Sequence, residues 1–264
     1  MIISVASGKG GTGKTTIATS LALSLKGAMY MDCDVEEPNG YIFLKPQQQE
    51  RVSVEIPVPK IDESQCTYCG ECAHICEFNA LVVLKEKVLF FPELCHGCGG
   101  CSFICKAKAI EEVGREIGII EKGIAHDVEF VHGILHVGEP MAPPLIRRVK
   151  TFTNDRKIII IDASPGTSCP VVETVKGSNF CLLVTEPTPF GLNDLRLAIE
   201  MVRTLGIPYG VIINCADVGN RDVWHYCERE NISVLMEIPS DRSIAEAYSK
   251  GIPLIEKIPF YKDR

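Results

Sequence analysis

The sequence predicts an α/β fold, a mostly parallel sheet interrupted by a small α+β module. Three observations carry this. Residues 8–15 read Gly-Lys-Gly-Gly-Thr-Gly-Lys-Thr between a β-branched run (Ile2, Ile3, Val5) and helical text, the strand–loop–helix setting of a phosphate-binding loop. From Ile158 onward, apolar strand text alternates with helical text, as a sheet with crossover helices requires. Between these parts the alternation stops, and eight of the chain's thirteen cysteines fall in two runs.

In the loop, Gly8, Gly10, Gly11 and Gly13, with Thr12 among them, let the backbone curl so that successive N–H groups face an anion at a helix N-terminus. Lys14 is placed to lie along the β- and γ-phosphates of a nucleoside triphosphate, and the Thr15 hydroxyl to take one Mg²⁺ position. A helix over Thr16–Lys26 follows. It carries Ile17, Ala18, Leu21, Ala22 and Leu25 on one face and stops at Gly27. Ala28–Met31 reads as a buried strand ending in Asp32-Cys33-Asp34. A carboxylate at that strand end lies where parallel sheets bind ligands, so Asp34 is the candidate for orienting the attacking water. Glu36–Gly40 reads as a loop that could move with nucleotide state.

Pro57 and Pro59 then punctuate the chain. Cys66, Cys69, Cys72 and Cys76 follow in Cys-x-x-Cys-x-x-Cys-x-x-x-Cys spacing, repeated 29 positions later by Cys95, Cys98, Cys101 and Cys105. The flanking residues repeat too, which marks a duplication of one metal unit. Three closely spaced thiolates suit three corners of a 4Fe–4S cubane, and in two-cluster ferredoxins the fourth cysteine of each run serves the other cluster. The expected ligand sets are Cys66, Cys69, Cys72 and Cys105 for one centre, and Cys95, Cys98, Cys101 and Cys76 for the other. Zinc, the alternative metal, is usually held by two Cys-x-x-Cys pairs and has no use for a third close thiolate. Glu77 and Lys106 stand where the ferredoxin pattern has proline, and His74 and His96 are expected as neighbours rather than ligands. The domains so drawn are 1–58 with 117–264 for the nucleotide-binding body and 59–116 for the ferredoxin-like module.

Past the module, Ile117–Ile120 and Val128–His136 read as strands, and Pro143-Pro144 open a helix. His126, His132 and His136 are expected to be structural. Ile158–Ile161 is the most apolar strand, and Asp162-Ala163-Ser164-Pro165-Gly166 after it has the form of a second magnesium motif. Asp162 would hold a Mg²⁺-bound water and the Gly166 N–H could sense the γ-phosphate. Strands at Phe180–Thr185, Tyr209–Asn214 and Ile232–Ile238 complete the sheet, with helices over Asn193–Leu205 and Val223–Arg229 and a last one ending at Lys250. Asn214 could read the adenine, and Pro239-Ser240-Asp241 closes the same edge.

Hydrophobic residues make up 46% of the 264-residue chain and charged ones 23%, ordinary globular values. A formal net charge of −7 argues against nucleic acid or an anionic membrane as partner. With the phosphate loop at residue 8, no apolar run of membrane-spanning length, and an odd number of cysteines suited to metal, a cytoplasmic protein is expected.

Gly8–Thr16, with its second lysine at Lys9, resembles the deviant Walker A loop of the MinD/ParA/Mrp P-loop ATPases, which include the nitrogenase iron protein. Asp34, Asp162–Gly166, Asn214 and the 238–253 stretch match that group, and the cysteine block is similar to a bacterial-type ferredoxin. The resemblance implies ATP hydrolysis to ADP, with Mg²⁺, in a homodimer. In such a dimer Lys9 would reach the partner's phosphates, and Asp34 would act on water. It also implies that Cys169, seven residues after Asp162, stands where the iron protein carries a ligand of a dimer-bridging cluster. Two functions follow as expectations: nucleotide-gated electron transfer through two 4Fe–4S clusters to a redox partner, or delivery of a cluster to an accepting protein, as in the Mrp branch.

Overall fold

The computed structural model describes residues 1–154 and 157–263. Its strands, in chain order, are β1 (Ile2–Ala6), β2 (Met29–Asp32), β3 (Gln47–Ile61), β4 (Leu81–Leu84), β5 (Lys87–Phe90), β6 (Ile110–Ala125), β7 (Val128–Leu135), β8 (Ile159–Asp162), β9 (Phe180–Thr185), β10 (Tyr209–Asn214) and β11 (Val234–Ile238). All but β4 and β5 form one sheet, ordered β11-β10-β9-β1-β8-β2-β7-β6-β3. Pairing is parallel from β11 to β7 and antiparallel from β7 through β6 to β3.

Side chains alternate across this sheet with the period of two that a strand imposes. Val5, Tyr30 and Ile160 point to the layer holding helix Lys14–Ser24, among Ile17, Ala18 and Ala22. Ala6 meets Val171, Leu195, Ile199 and Val202 on the opposite face. Met29, Met31, Ile159 and Ile161 also leave the first layer, to pack with Leu145, Ile146 and Val149 of helix Pro143–Lys150. Central strands buried on both faces read as continuous apolar runs, which is why Ile159–Ile161 was so legible. Strand order reverses around β1, so the C-terminal ends of β1, β2, β8, β9, β10 and β11 meet at one edge, where ligands of such sheets bind.

The other end of the sheet departs from expectation. β3 and β6 form one long ribbon, paired from Gln47 opposite Ile124 to Ile61 opposite Ile110 with register shifts between Gln48 and Glu50 and between Val54 and Glu55. At about 3.4 Å per residue it is roughly 50 Å long. Pro57 and Pro59 lie inside β3, opposite Gly114 and Glu112, rather than ending the sheet-forming part. They are tolerated because β3 is the edge strand and its outer side needs no N–H donor. Both positions drawn as domain boundaries, 58/59 and 116/117, thus fall within strands. Near the base, Val54, Ile56, Val58, Ile117 and Ile120 are buried against helix Pro143–Lys150. At the far end the Asp62 N–H donates to the Ala109 carbonyl at 2.8 Å, closing residues 62–109 into a small unit. That unit holds two short helices, Glu71–His74 and Gly100–Ile104, and the β4–β5 hairpin, which sequence reading missed.

Candidate functional site

The loop after β1 is held by contacts that only glycine permits. A Cβ on Gly8 would lie 2.2 Å from the Asp194 carbonyl oxygen, and one on Gly13 would lie 2.6 Å from Asn214 Nδ2. Gly11 and Gly13 adopt φ of +79° and +89°, a region L side chains avoid. Asn214 Nδ2 donates to the Thr12 carbonyl at 2.9 Å, and Ser7 Oγ to that of Lys9 at 2.8 Å. These contacts fix the loop's shape from within the chain.

Beside it lies a cavity of about 500 Å³. Gly10, Gly11, Gly13, Lys14, Thr15 and Thr16 form one wall, Asp34 and Asn39 another, and Asn214, Cys215, Pro239 and Asp241 a third. Asp241 also caps helix Arg242–Ser249, accepting from the Ser243 N–H at 2.7 Å; these bonds hold its carboxyl below the usual range. Gly166, at φ +98°, donates its N–H to the Ser7 carbonyl at 2.9 Å, so in this state it braces the loop.

The charges are arranged around one buried carboxylate. Lys14 Nζ lies 2.5 Å from Asp162 Oδ1, with side-chain exposures of 7% and 0%. The Tyr30 hydroxyl donates to Asp162 Oδ2 at 3.0 Å. Burial pulls the Lys14 pKa down, but the charge and hydrogen bond of Asp162 outweigh it and hold the ammonium above its ordinary value. Asp32 is pushed up to about 7 by burial and then by the charge of Asp162, against a bond from Gly40. Burial raises Asp34 to about 6, with Lys14 opposing.

Three functional positions escaped the sequence reading. Asp32 accepts the N–H groups of Asp34 at 3.1 Å, Asn39 at 3.1 Å and Gly40 at 2.9 Å, clamping the loop that carries Asp34. Its place at the end of β2 was the available signal. Tyr30 looked like one more apolar strand residue. Glu186, the residue after β9, pairs with Lys9 at 3.0 Å within the same chain.

The cysteine runs fold into two cavities. Cys66, Cys69, Cys72 and Cys105 line one, beside Ile61 and Ile110 at the ribbon's far end. Cys76, Cys95, Cys98 and Cys101 line the other, beside Pro57, Pro59 and Glu112, nearer the sheet. Each cavity thus takes three cysteines from one run and one from the other. Backbone N–H groups of Tyr68, Ala80 and Ala109 donate to the sulfurs of Cys66, Cys76 and Cys105 at 3.3–3.4 Å. Burial raises the Cys72, Cys95 and Cys101 thiols, the last to about 11, and neighbouring cysteines add to the shift. Sets of this kind become thiolates readily only around a cationic group. Among the described residues no three His, Cys, Asp or Glu side chains converge as a site for a single metal ion. Zinc needs four ligands in all, whereas eight cysteines line these two cavities, four in each. His96 stacks on Phe78 with ring centroids 3.4 Å apart, as a packing neighbour. His132 and His136 pair with Glu121 and Glu116. Cys169 is exposed at the start of helix Cys169–Val175, apart from both cavities.

A family model described as the CobQ/CobB/MinD/ParA nucleotide binding domain matches residues 3–254. An uncharacterised protein of Methanocaldococcus jannaschii is 31% identical over 258 residues, 95% of this chain and 90% of that one. An iron–sulfur cluster carrier protein of Pyrococcus abyssi is 23% identical over 96% of this chain and 78% of its own length. Among solved structures, the septum site-determining protein MinD of Pyrococcus horikoshii, complexed with Mg-ADP, superimposes with a TM-score of 0.58 at 19% identity, covering 99% of this chain and 90% of that one. No helix among the described residues is long and apolar enough to cross a membrane.

Proposed function

The chain belongs to the CobQ/CobB/MinD/ParA nucleotide-binding family, and from that premise we propose a MinD/ParA-type ATPase whose nucleotide state controls two 4Fe–4S clusters. The observation that carries the cluster part is the sharing of cysteines between runs, three from one and one from the other in each cavity. That is the ligand exchange expected of a two-cluster ferredoxin.

On the nucleotide side, the preformed loop amides and Lys14 receive the phosphates of ATP, and Thr15 offers its hydroxyl to Mg²⁺. Lys14 would then exchange Asp162 for phosphate oxygens, and Asp162 would be free to help hold Mg²⁺. Asp34, which lines the same cavity, orients the attacking water. Lys9 leaves Glu186 and neutralises phosphate charge across a homodimer interface, so that ATP is enclosed between two copies. A single partly exposed ion pair contributes about 0–1 kcal/mol, a small barrier to that exchange.

When bound, the clusters supply one-electron redox chemistry. The ribbon strand β3 follows the Asp34–Gly40 loop in the chain, and β7, which pairs with both β2 and β6, joins the ribbon to the strand that carries that loop. Ordering of such loops around the γ-phosphate is a recurrent switch, and electron transfer to a partner protein is the reading these resident sites favour. A second reading, delivery of a cluster to an accepting protein, is favoured by the name of the Pyrococcus abyssi relative. It would need a labile site, for which Cys169 is the candidate.

Anaerobic iron and sulfide analysis tests the proposal. About eight of each per chain are expected for two such clusters, and Cys105→Ser should cost the cluster of the Cys66 run rather than its own. Zinc, or no metal, would overturn it. Cys169→Ser separates the two readings: loss of transfer to an apo-ferredoxin with electron transfer intact supports delivery.

A further inference from the structure

Arg115 lies on β6 directly opposite Ile56. The second cysteine run sits against Ile56 and Pro57. A Cβ on Gly97 would lie 3.0 Å from the Pro57 carbonyl oxygen and 3.2 Å from Ile56 Cβ, and Cys95 packs against the same apolar cluster as Ile56 and Val58. Directly opposed residues of two strands have Cβ atoms about 4.5–5.5 Å apart, so Arg115 is one side chain, Ile56, away from Gly97, which lies between Cys95 and Cys98. Its two terminal nitrogens are taken by Glu139, with Nη2 2.9 Å from Oε2 and Nη1 bonded to Oε1. Its Nε–H is buried and has no hydrogen-bond partner among the described residues. A buried donor without an acceptor is costly.

Glu139 connects in the other direction to the nucleotide site. Its N–H donates to the His136 carbonyl at 3.1 Å, just past the end of β7. One residue earlier, the Leu135 N–H donates to the Val35 carbonyl at 2.8 Å. Val35 follows Asp34, which lines the nucleotide cavity and whose N–H is held by Asp32. Backbone bonds thus connect the Asp34–Gly40 loop, through Val35 and Leu135, to the turn that carries Glu139.

We propose that Arg115 tunes the cluster in the Cys76/Cys95/Cys98/Cys101 cavity, and that Glu139 sets how much of its positive charge that cluster feels according to nucleotide state. The inference rests on the cluster reading above. A cation beside a cluster stabilises its reduced, more negative form and raises its potential, while the carboxylate opposes it. The cluster at the far end of the ribbon lacks this pair.

The test is an EPR-monitored redox titration of the anaerobically reconstituted full chain. Arg115→Gln should lower one of the two midpoint potentials and leave the other in place, and Arg115→Lys should restore most of the difference. Glu139→Gln should raise that same potential and abolish its response to Mg-ATP. Should Arg115→Gln fail to hold clusters, the signs in Arg115→Lys and Glu139→Gln decide. Wild-type clusters with both potentials unmoved by these substitutions, or moved equally, would overturn the inference alone. A wild-type chain without clusters would overturn the cluster reading and the inference with it.

Discussion

Lys14 Nζ and Asp162 Oδ1, 148 residues apart in sequence, lie 2.5 Å apart at the centre of the nucleotide edge. In the ligand-free protein each neutralises the other where water cannot. Asp162→Asn leaves the ammonium buried and unpaired, a loss of about 3–5 kcal/mol. The melting temperature of the nucleotide-free variant should fall by roughly 10 °C, and ATP should restore more stability to it than to the wild type, because phosphate supplies the missing counter-charge. An Asp162→Asn chain as stable as wild type would show that the pair contributes nothing.

Asp34 lines the cavity while the Asp32 carboxylate clamps the loop, so substitution of Asp34 should separate binding from chemistry. Asp34→Asn is expected to keep ATP affinity within a few-fold and to lower kcat by about 10²-fold or more. Steady-state hydrolysis together with nucleotide titration checks both. Unchanged turnover would remove Asp34 from the reaction.

The loop and the cysteine runs were legible because their chemistry is written in consecutive residues. Gly8–Thr16 needs glycines at fixed positions whatever lies elsewhere, and the cysteine spacing carries its own geometry. What escaped were relationships between distant residues. Lys9 was read as a lysine for a partner subunit, yet here it meets Glu186, whose only signal was its place after β9. The ribbon escaped because Pro57 and Pro59 resemble a boundary, and only the sheet order reveals that β3 has an open edge to spare. Arg115 and Glu139 are 24 residues apart, with the rest of β6, a turn and all of β7 between them.

Asp32 makes stability depend on pH. Its pKa in the fold, about 7, is above the unfolded value, so the folded state binds the proton more tightly. That contribution is fully present below the unfolded pKa and is lost as pH rises through about 7. The nucleotide-free protein should therefore melt at higher temperature at pH 6 than at pH 8. Asp32→Asn, which keeps an acceptor for the Gly40 N–H, should flatten that slope. A slope equal in the two proteins would contradict this assignment.

Releasing Lys9 should favour assembly. Glu186→Gln removes the intramolecular partner and is expected to increase the dimer fraction at a given ATP concentration several-fold, as read by light scattering after size exclusion. Lys9→Ala should abolish ATP-dependent dimers while leaving the monomer folded. A Glu186→Gln chain no more dimeric than wild type would show that the pair does not restrain Lys9.

The central claim is that one folded chain lets a nucleotide govern iron–sulfur clusters held on a ribbon from its sheet. It is tested most directly by EPR spectra of the anaerobically reduced protein with Mg-ATP and with Mg-ADP. Two interacting 4Fe–4S signals that differ between the nucleotides are predicted. Identical spectra would contradict the coupling, and the absence of any cluster signal would contradict the claim as a whole.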